Sequence, residues 1–168
     1  MNALLSKVRS VHEAVFGLTA YLQSPLLLAV RLYWGWQLAQ SGWGKLHNLE
    51  RVTEFFTSLN LPMPAQMAVF IAGLEFFGGI LLALGLFSRI ISLMLTVNLI
   101  MAYVTADREA LFSIFSDPDK FMAAAPFTFL CASLVVLIFG AGKFSVDTLL
   151  GHLAGGGKAK QAEGSIAV

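Results

Sequence analysis

Two charged side chains sit where charge is costly. Arg31 interrupts an apolar run over 25–44, and Glu75 interrupts another over 65–87. A charge at mid-bilayer costs at least about 2.5–3.5 kcal/mol on insertion scales, so such residues face the interior of a helix assembly and pair. Two further apolar runs, 90–106 and 121–140, carry Asn98 and Cys131. At the rise of an α-helix, Arg31 lies ~9 Å and Glu75 ~17 Å from the same membrane face, with Asn98 at ~12 Å and Cys131 at ~14 Å. A long Arg side chain closes most of the gap to Glu75. The expectation is one polar layer, with Arg31 and Glu75 in contact. It reads three ways: an ion pair that locks the helices, a polar floor for a ligand head group or proton, or Arg31 reaching the interface without Glu75. A buried pair is by itself weak evidence for stability.

Helical faces point both charges inward. Glu75 shares a face with Ala68, Ala72, Gly79 and Leu82, with Gly78 beside it; Arg31 shares one with Gly35, Leu38, Gly42 and Lys45. Small residues mark helix–helix contacts in membranes.

Other chemistries find little support. His12, His47 and His152 all lie outside the apolar runs, so bis-histidine haem ligation within them is excluded. The single cysteine, Cys131, permits neither an intrachain disulfide nor a C-x-x-C pair. No metal-ligand cluster and no nucleophile–base pair stands out. The strings Gly42-Trp43-Gly44-Lys45 and Gly140-Ala141-Gly142-Lys143 lack phosphate-loop spacing and read as helix ends with an interfacial Lys. Trp43 fits an interfacial belt, and Trp34 and Trp36 fit packing.

The elements that position these residues follow from composition. Of 168 residues, 57% are hydrophobic and 12% charged. The mean hydropathy is +0.75, and soluble domains carry about 25% charged residues. Lipid is therefore the solvent, and four runs of roughly 17–23 residues each match a ~30 Å hydrocarbon core. The fold class is all-α: an integral membrane four-helix bundle with spans at about 25–44, 65–87, 90–106 and 121–140. An amphipathic interfacial helix over 1–24 precedes it, and a flexible tail over 151–168 follows. The net charge of +1 offers nothing to nucleic acid. The apolar positions within 45–64 suit a short surface helix, ended by Pro62 and Pro64. Ser88-Arg89 makes a tight turn, and 107–120 a polar loop. Lys7, Arg9, Arg89, Lys143, Lys158 and Lys160 fall on one side; Lys45, Arg51, Arg108 and Lys120 fall on the other. The richer side should be cytoplasmic, which puts both termini inside.

The same residues carry a resemblance. Arg31-x-x-x-Gly35, Gly42-Trp43-Gly44-Lys45, Leu61-Pro62, Gly73-Leu74-Glu75 with Phe76-Phe77-Gly78-Gly79, Gly85-Leu86-Phe87-Ser88-Arg89 and Gly140-Ala141-Gly142-Lys143-Phe144-Ser145-Val146-Asp147 stand in order over about 25–149. In that order and spacing the chain resembles the DoxX family of small bacterial and archaeal membrane proteins. The resemblance implies a multi-pass protein of the bacterial inner (plasma) membrane. Its relatives include the membrane subunit of an archaeal thiosulfate:quinone oxidoreductase. It matches Arg31, Lys45, Glu75 and Arg89 to the family pattern and assigns none of them a catalytic role.

The expected function is a redox-associated membrane subunit that binds quinone at Arg31, Glu75 and Asn98, with Lys45 and Arg89 as interfacial basic residues. No intrinsic cofactor or metal is expected. The partners would be the bilayer, a soluble redox protein and a second copy of the chain. The alternatives are a non-enzymatic anchor or assembly factor for a soluble partner, and a small oligomeric transporter.

Overall fold

The computed structural model describes residues 2–153, without the side chains of 2–11 and 13–20. It is all-helical among the described residues, in the order α1 (Asn2–Leu46), α2 (Leu49–Ser58), α3 (Pro64–Leu84), α4 (Ser88–Thr105), α5 (Arg108–Phe112), α6 (Pro118–Ala123) and α7 (Pro126–Phe139). Helices α3 and α4 are each long and apolar enough to cross a membrane.

Helix α1 does not stop near residue 24. It continues through Pro25 without a break, so the expected segment over 1–24 is the first half of one long helix. The amphipathic face expected on that half rests mostly on side chains outside the described ones; of the tail expected over 151–168, residues 151–153 continue a helix from 146, and those from 154 onward lie outside the described residues. Helix α7 is shorter than the expected 121–140 run. Ala124 is extended at φ −64° and ψ 139°, and Pro126 opens α7 at its first turn. Proline has no N–H and clashes with the preceding turn, so the run divides there into α6 and α7. The expected polar loop holds α5 and the start of α6, and Asp117 caps α6 by accepting from the Lys120 N–H at 3.2 Å.

Glycine sets the turn between α3 and α4. Gly85 lies in the left-handed region at φ 71°, and the Leu86 N–H closes onto the Leu81 carbonyl at 3.0 Å. This is a Schellman ending, which favours glycine because a Cβ is strained there. Ser88 then begins α4, so α3 and α4 run antiparallel.

The closest packing joins α1 to α3, and it is built on absent side chains. A Cβ on Gly42 would lie 2.2 Å from the Phe76 nitrogen, and one on Gly79 would lie 2.5 Å from that of Ala39. Contacts then run from α3 to α4, from α4 to α7 and from α7 back to α1. Leu38, Leu82, Leu95 and Val136, one from each of these helices, form the core cluster. The buried face of α3 is Ala68, Ala72, Glu75, Gly78, Gly79 and Leu82, the face expected from the sequence. That of α4 carries hydroxyls: Ser88, Ser92, Thr96 and Tyr103. Large side chains such as Trp36, Phe70, Phe77 and Ile138 point outward.

Candidate functional site

The glycine contacts fix the register of α1 against α3. Gly42 lies beside Ala72 and Phe76, and Gly35 lies beside Gly79 and Ala83. Ser41 and Lys45, one turn apart, therefore come level with Glu75. Arg31 comes level with Gly85, ten residues or about 15 Å of helix away.

Glu75 is 5% exposed and fully engaged. The Lys45 ammonium donates to both of its carboxylate oxygens, at 2.5 and 2.6 Å, and the Ser41 hydroxyl donates to one of them at 3.0 Å. The expected contact between Arg31 and Glu75 is therefore not made; the lysine at the end of α1 takes that place. An ion pair inside a low-dielectric region needs such added hydrogen bonds to offset its desolvation.

Arg31 is wholly buried at the other end of the assembly. Its Nη2 donates to the Phe144 carbonyl, and its Nε donates to the Leu27 carbonyl at 3.4 Å. Its neighbour is Gly85, where a Cβ would collide with the guanidinium. Close by, Asp147 ties the chain after α7 to the turn between α3 and α4. Its carboxylate accepts from the Phe87 N–H at 2.8 Å, the Ser88 N–H at 2.9 Å and the Ser88 hydroxyl at 2.7 Å. Its own N–H donates to the Gly85 carbonyl at 3.0 Å. Burial pushes the Asp147 carboxyl up, but the bonds from Ser88 and Phe87, aided by the Arg31 charge, outweigh it and hold the group below the usual carboxylate range. Arg31 and Asp147 thus form a clasp, away from the Glu75 layer.

The Glu75 layer is the floor of a cavity of about 1070 Å³, at the upper end of the roughly 300–1,000 Å³ usual for small-molecule sites. Glu75, Lys45, Ser41 and Asn98 line it together. Its other walls are largely apolar, with Phe56 and Leu59 from the α2 side, Leu74 from α3 and Phe129 from α7. Helix α2 buries no residue fully and serves as one wall. Arg51 and Asp107 are the charged lining residues beyond the floor.

Of the residues singled out in the sequence, the structure brings Glu75, Asn98 and Lys45 together and leaves out Arg31 and Arg89. Arg89 is exposed at the turn end, beside Gly140. Cys131 is exposed and does not line the cavity. No group of three metal-ligating side chains occurs among the described residues. Sequence reasoning missed Ser41, the α2 wall and the role of Asp147. Gly35, Gly42 and Gly79, read as register marks, would have separated Arg31 from Glu75.

Comparison with known proteins places this site within a family. The DoxX family model matches residues 26–108, which include Lys45, Glu75 and Asn98 but not Asp147. A curated Bacillus subtilis (strain 168) protein named "Putative oxidoreductase CatD" is 37% identical over 71 residues, 42% of this chain and 52% of that protein. The chain thus spans about half the length of that relative. No solved structure matches. Through residues 26–108, the chain belongs to the DoxX family.

Proposed function

We propose that the chain is a redox-associated subunit of the bacterial inner membrane, whose cavity between α1, α2, α3, α4 and α7 binds a quinone. In this reading α1 from about residue 25, α3, α4 and α7 with α6 cross the bilayer, and the α2 end faces outward. The outward display of Trp36, Phe70, Phe77 and Ile138 over a buried face of glycine, alanine and hydroxyl residues supports it. Water-soluble chains invert that arrangement, and exposed apolar surface on this scale marks contact with lipid or protein.

The observation that carries the reading is the polar floor of Lys45, Ser41, Glu75 and Asn98 under an otherwise apolar cavity. A quinone head needs hydrogen-bond donors at its carbonyl oxygens and apolar walls around its ring. The floor meets both needs: two of the three Lys45 donors go to Glu75, which leaves one for a ligand, and Asn98 adds an amide. A bound quinone would supply a two-electron, two-proton couple. Glu75 is the group at the floor that can hold or pass a proton. Cys131, alone, cannot cycle through an intrachain disulfide, so the electrons come from a soluble redox partner. The name of the Bacillus subtilis relative agrees with a redox role.

The test is extraction in a mild detergent, followed by mass spectrometry of organic extracts of the purified protein. Quinone should co-purify in near-stoichiometric amount, and Glu75→Gln with Asn98→Leu should deplete it. Protein that carries no quinone and binds none on addition refutes the reading.

A further inference from the structure

The cavity is lined in two ways that differ in chemistry. At the floor and at the α2 end its lining includes charge: Lys45 and Glu75 below, Arg51 and Asp107 above. Along one flank, between α3 and α4, the lining residues are also exposed on the outer surface. Phe70 is 62% exposed, Val97 54% and Met94 39%, and all three line the cavity. A residue that lines a cavity and also faces outside marks an opening, and this opening is wholly apolar. Helices α3 and α4 meet nearer the turn, where a Cβ on Gly78 would lie 3.3 Å from Leu95 and 3.6 Å from Ile91. Farther from the turn the cavity lies between them.

We propose that this flank is a lateral portal, and that the ligand is a tailed amphiphile drawn from the bilayer, its head on Lys45 and Asn98 and its tail leaving between Phe70 and Val97. The inference rests on the reading of the cavity as a ligand site and adds the side from which the ligand comes. The polarity of the alternatives supports it. A tail turned toward the α2 end would meet Arg51, Thr105 and Asp107 beside Phe56 and Leu59, so apolar chain gains less there than in a wholly apolar opening. A tail through the flank meets only apolar side chains and then lipid. Helix α2 covers the head with Val52 and Phe56 while Glu50 and Glu54 stay exposed on its other face, and the opening on its side, where Arg51 and Phe55 line the cavity and are also exposed, carries charge. A water-soluble substrate would instead use the Arg51 and Asp107 end.

The test compares two probes on the full-length chain in lipid nanodiscs: 2,3-dimethoxy-5-methylbenzoquinone, which has no tail, and its decyl-tailed derivative. Binding is read as the ratio of each probe's affinity for a variant to that for the wild type, so partition of the probe into lipid cancels. Val97→Trp fills the portal at a position already half exposed. It should weaken the decyl probe by about tenfold or more, as an overpacked site does. The tail-less probe should change by less than about twofold and so reports that the variant is folded. Ile138→Trp, on an exposed position of α7 outside the cavity, should change neither. Retained decyl binding in Val97→Trp, or equal weakening of both probes, overturns the portal and leaves the head site standing. Failure of both probes to bind the wild-type chain overturns the quinone reading and the portal together.

Discussion

Replacing Lys45 with methionine should destabilise the protein, and the loss should disappear when Glu75 is removed as well. The carboxylate has three donor contacts, two from Lys45 and one from Ser41. Lys45→Met leaves it with Ser41 alone in a site where its side chain is 6% exposed. Breaking a fully buried pair by removing one partner costs about 3–5 kcal/mol, while an exposed pair is worth about 0–1 kcal/mol. The Lys45 side chain is 34% exposed, so the single variant falls between these limits. A loss of about 2 kcal/mol follows, or about 30-fold in the folded ratio. In Lys45→Met with Glu75→Leu the uncompensated charge is gone, and stability should return to within about 1 kcal/mol of wild type. The assay is equilibrium unfolding in mixed micelles, followed by circular dichroism and run as a double-mutant cycle. A parallel cycle on Arg31→Met and Glu75→Leu should be additive within about 0.5 kcal/mol, because the two sites share no partner. Additivity at Lys45 and Glu75, or strong coupling at Arg31 and Glu75, would refute the assignment of partners.

Three further outcomes follow from the same geometry. Gly42→Ala places a Cβ 2.2 Å from backbone nitrogen and should cost more than the about 1–3 kcal/mol of ordinary overpacking; Gly44→Ala, with nothing within 4 Å, should be neutral or gain up to about 1 kcal/mol in thermal unfolding. Asp147 has a folded pKa below its unfolded value of 3.8, so its contribution is present above that value and is lost as pH falls through the folded pKa; Asp147→Asn should flatten this part of the acid-denaturation curve. Arg31→Lys should destabilise despite keeping the charge, because a lysine cannot bond the Phe144 and Leu27 carbonyls with one planar fork; unchanged urea unfolding would contradict the clasp.

Much of the assembly was legible because its physics is local. The apolar runs announced α3 and α4, and small residues at helical spacing marked the buried face of α3 around Glu75. What failed was a distance. Depth counted from assumed span ends put Arg31 within reach of Glu75. The actual register comes from close approach at Gly35, Gly42 and Gly79, and it sets the two about 15 Å apart. Lys45 was passed over because it stands at a helix end, where an interfacial lysine is ordinary. Asp147 was quoted only as part of a motif, since its partners at Phe87 and Ser88 lie some 60 residues away. The division at Pro126 was readable from the residue itself, but the continuous apolar character of 121–140 hid it.

The clasp also bears on how the chain is made. It joins Arg31 to Phe144, and Gly85 and Ser88 to Asp147, so the Phe144 carbonyl and the Asp147 carboxylate leave the ribosome more than a hundred residues after the guanidinium. Until residue 147 has emerged, the turn between α3 and α4 lacks its carboxylate, and until residue 144 has emerged an arginine already committed to the assembly has the Leu27 carbonyl but lacks that of Phe144. Completion of the helical core is thereby tied to synthesis past Asp147, and a nascent chain stalled before Phe144 would remain open at that end.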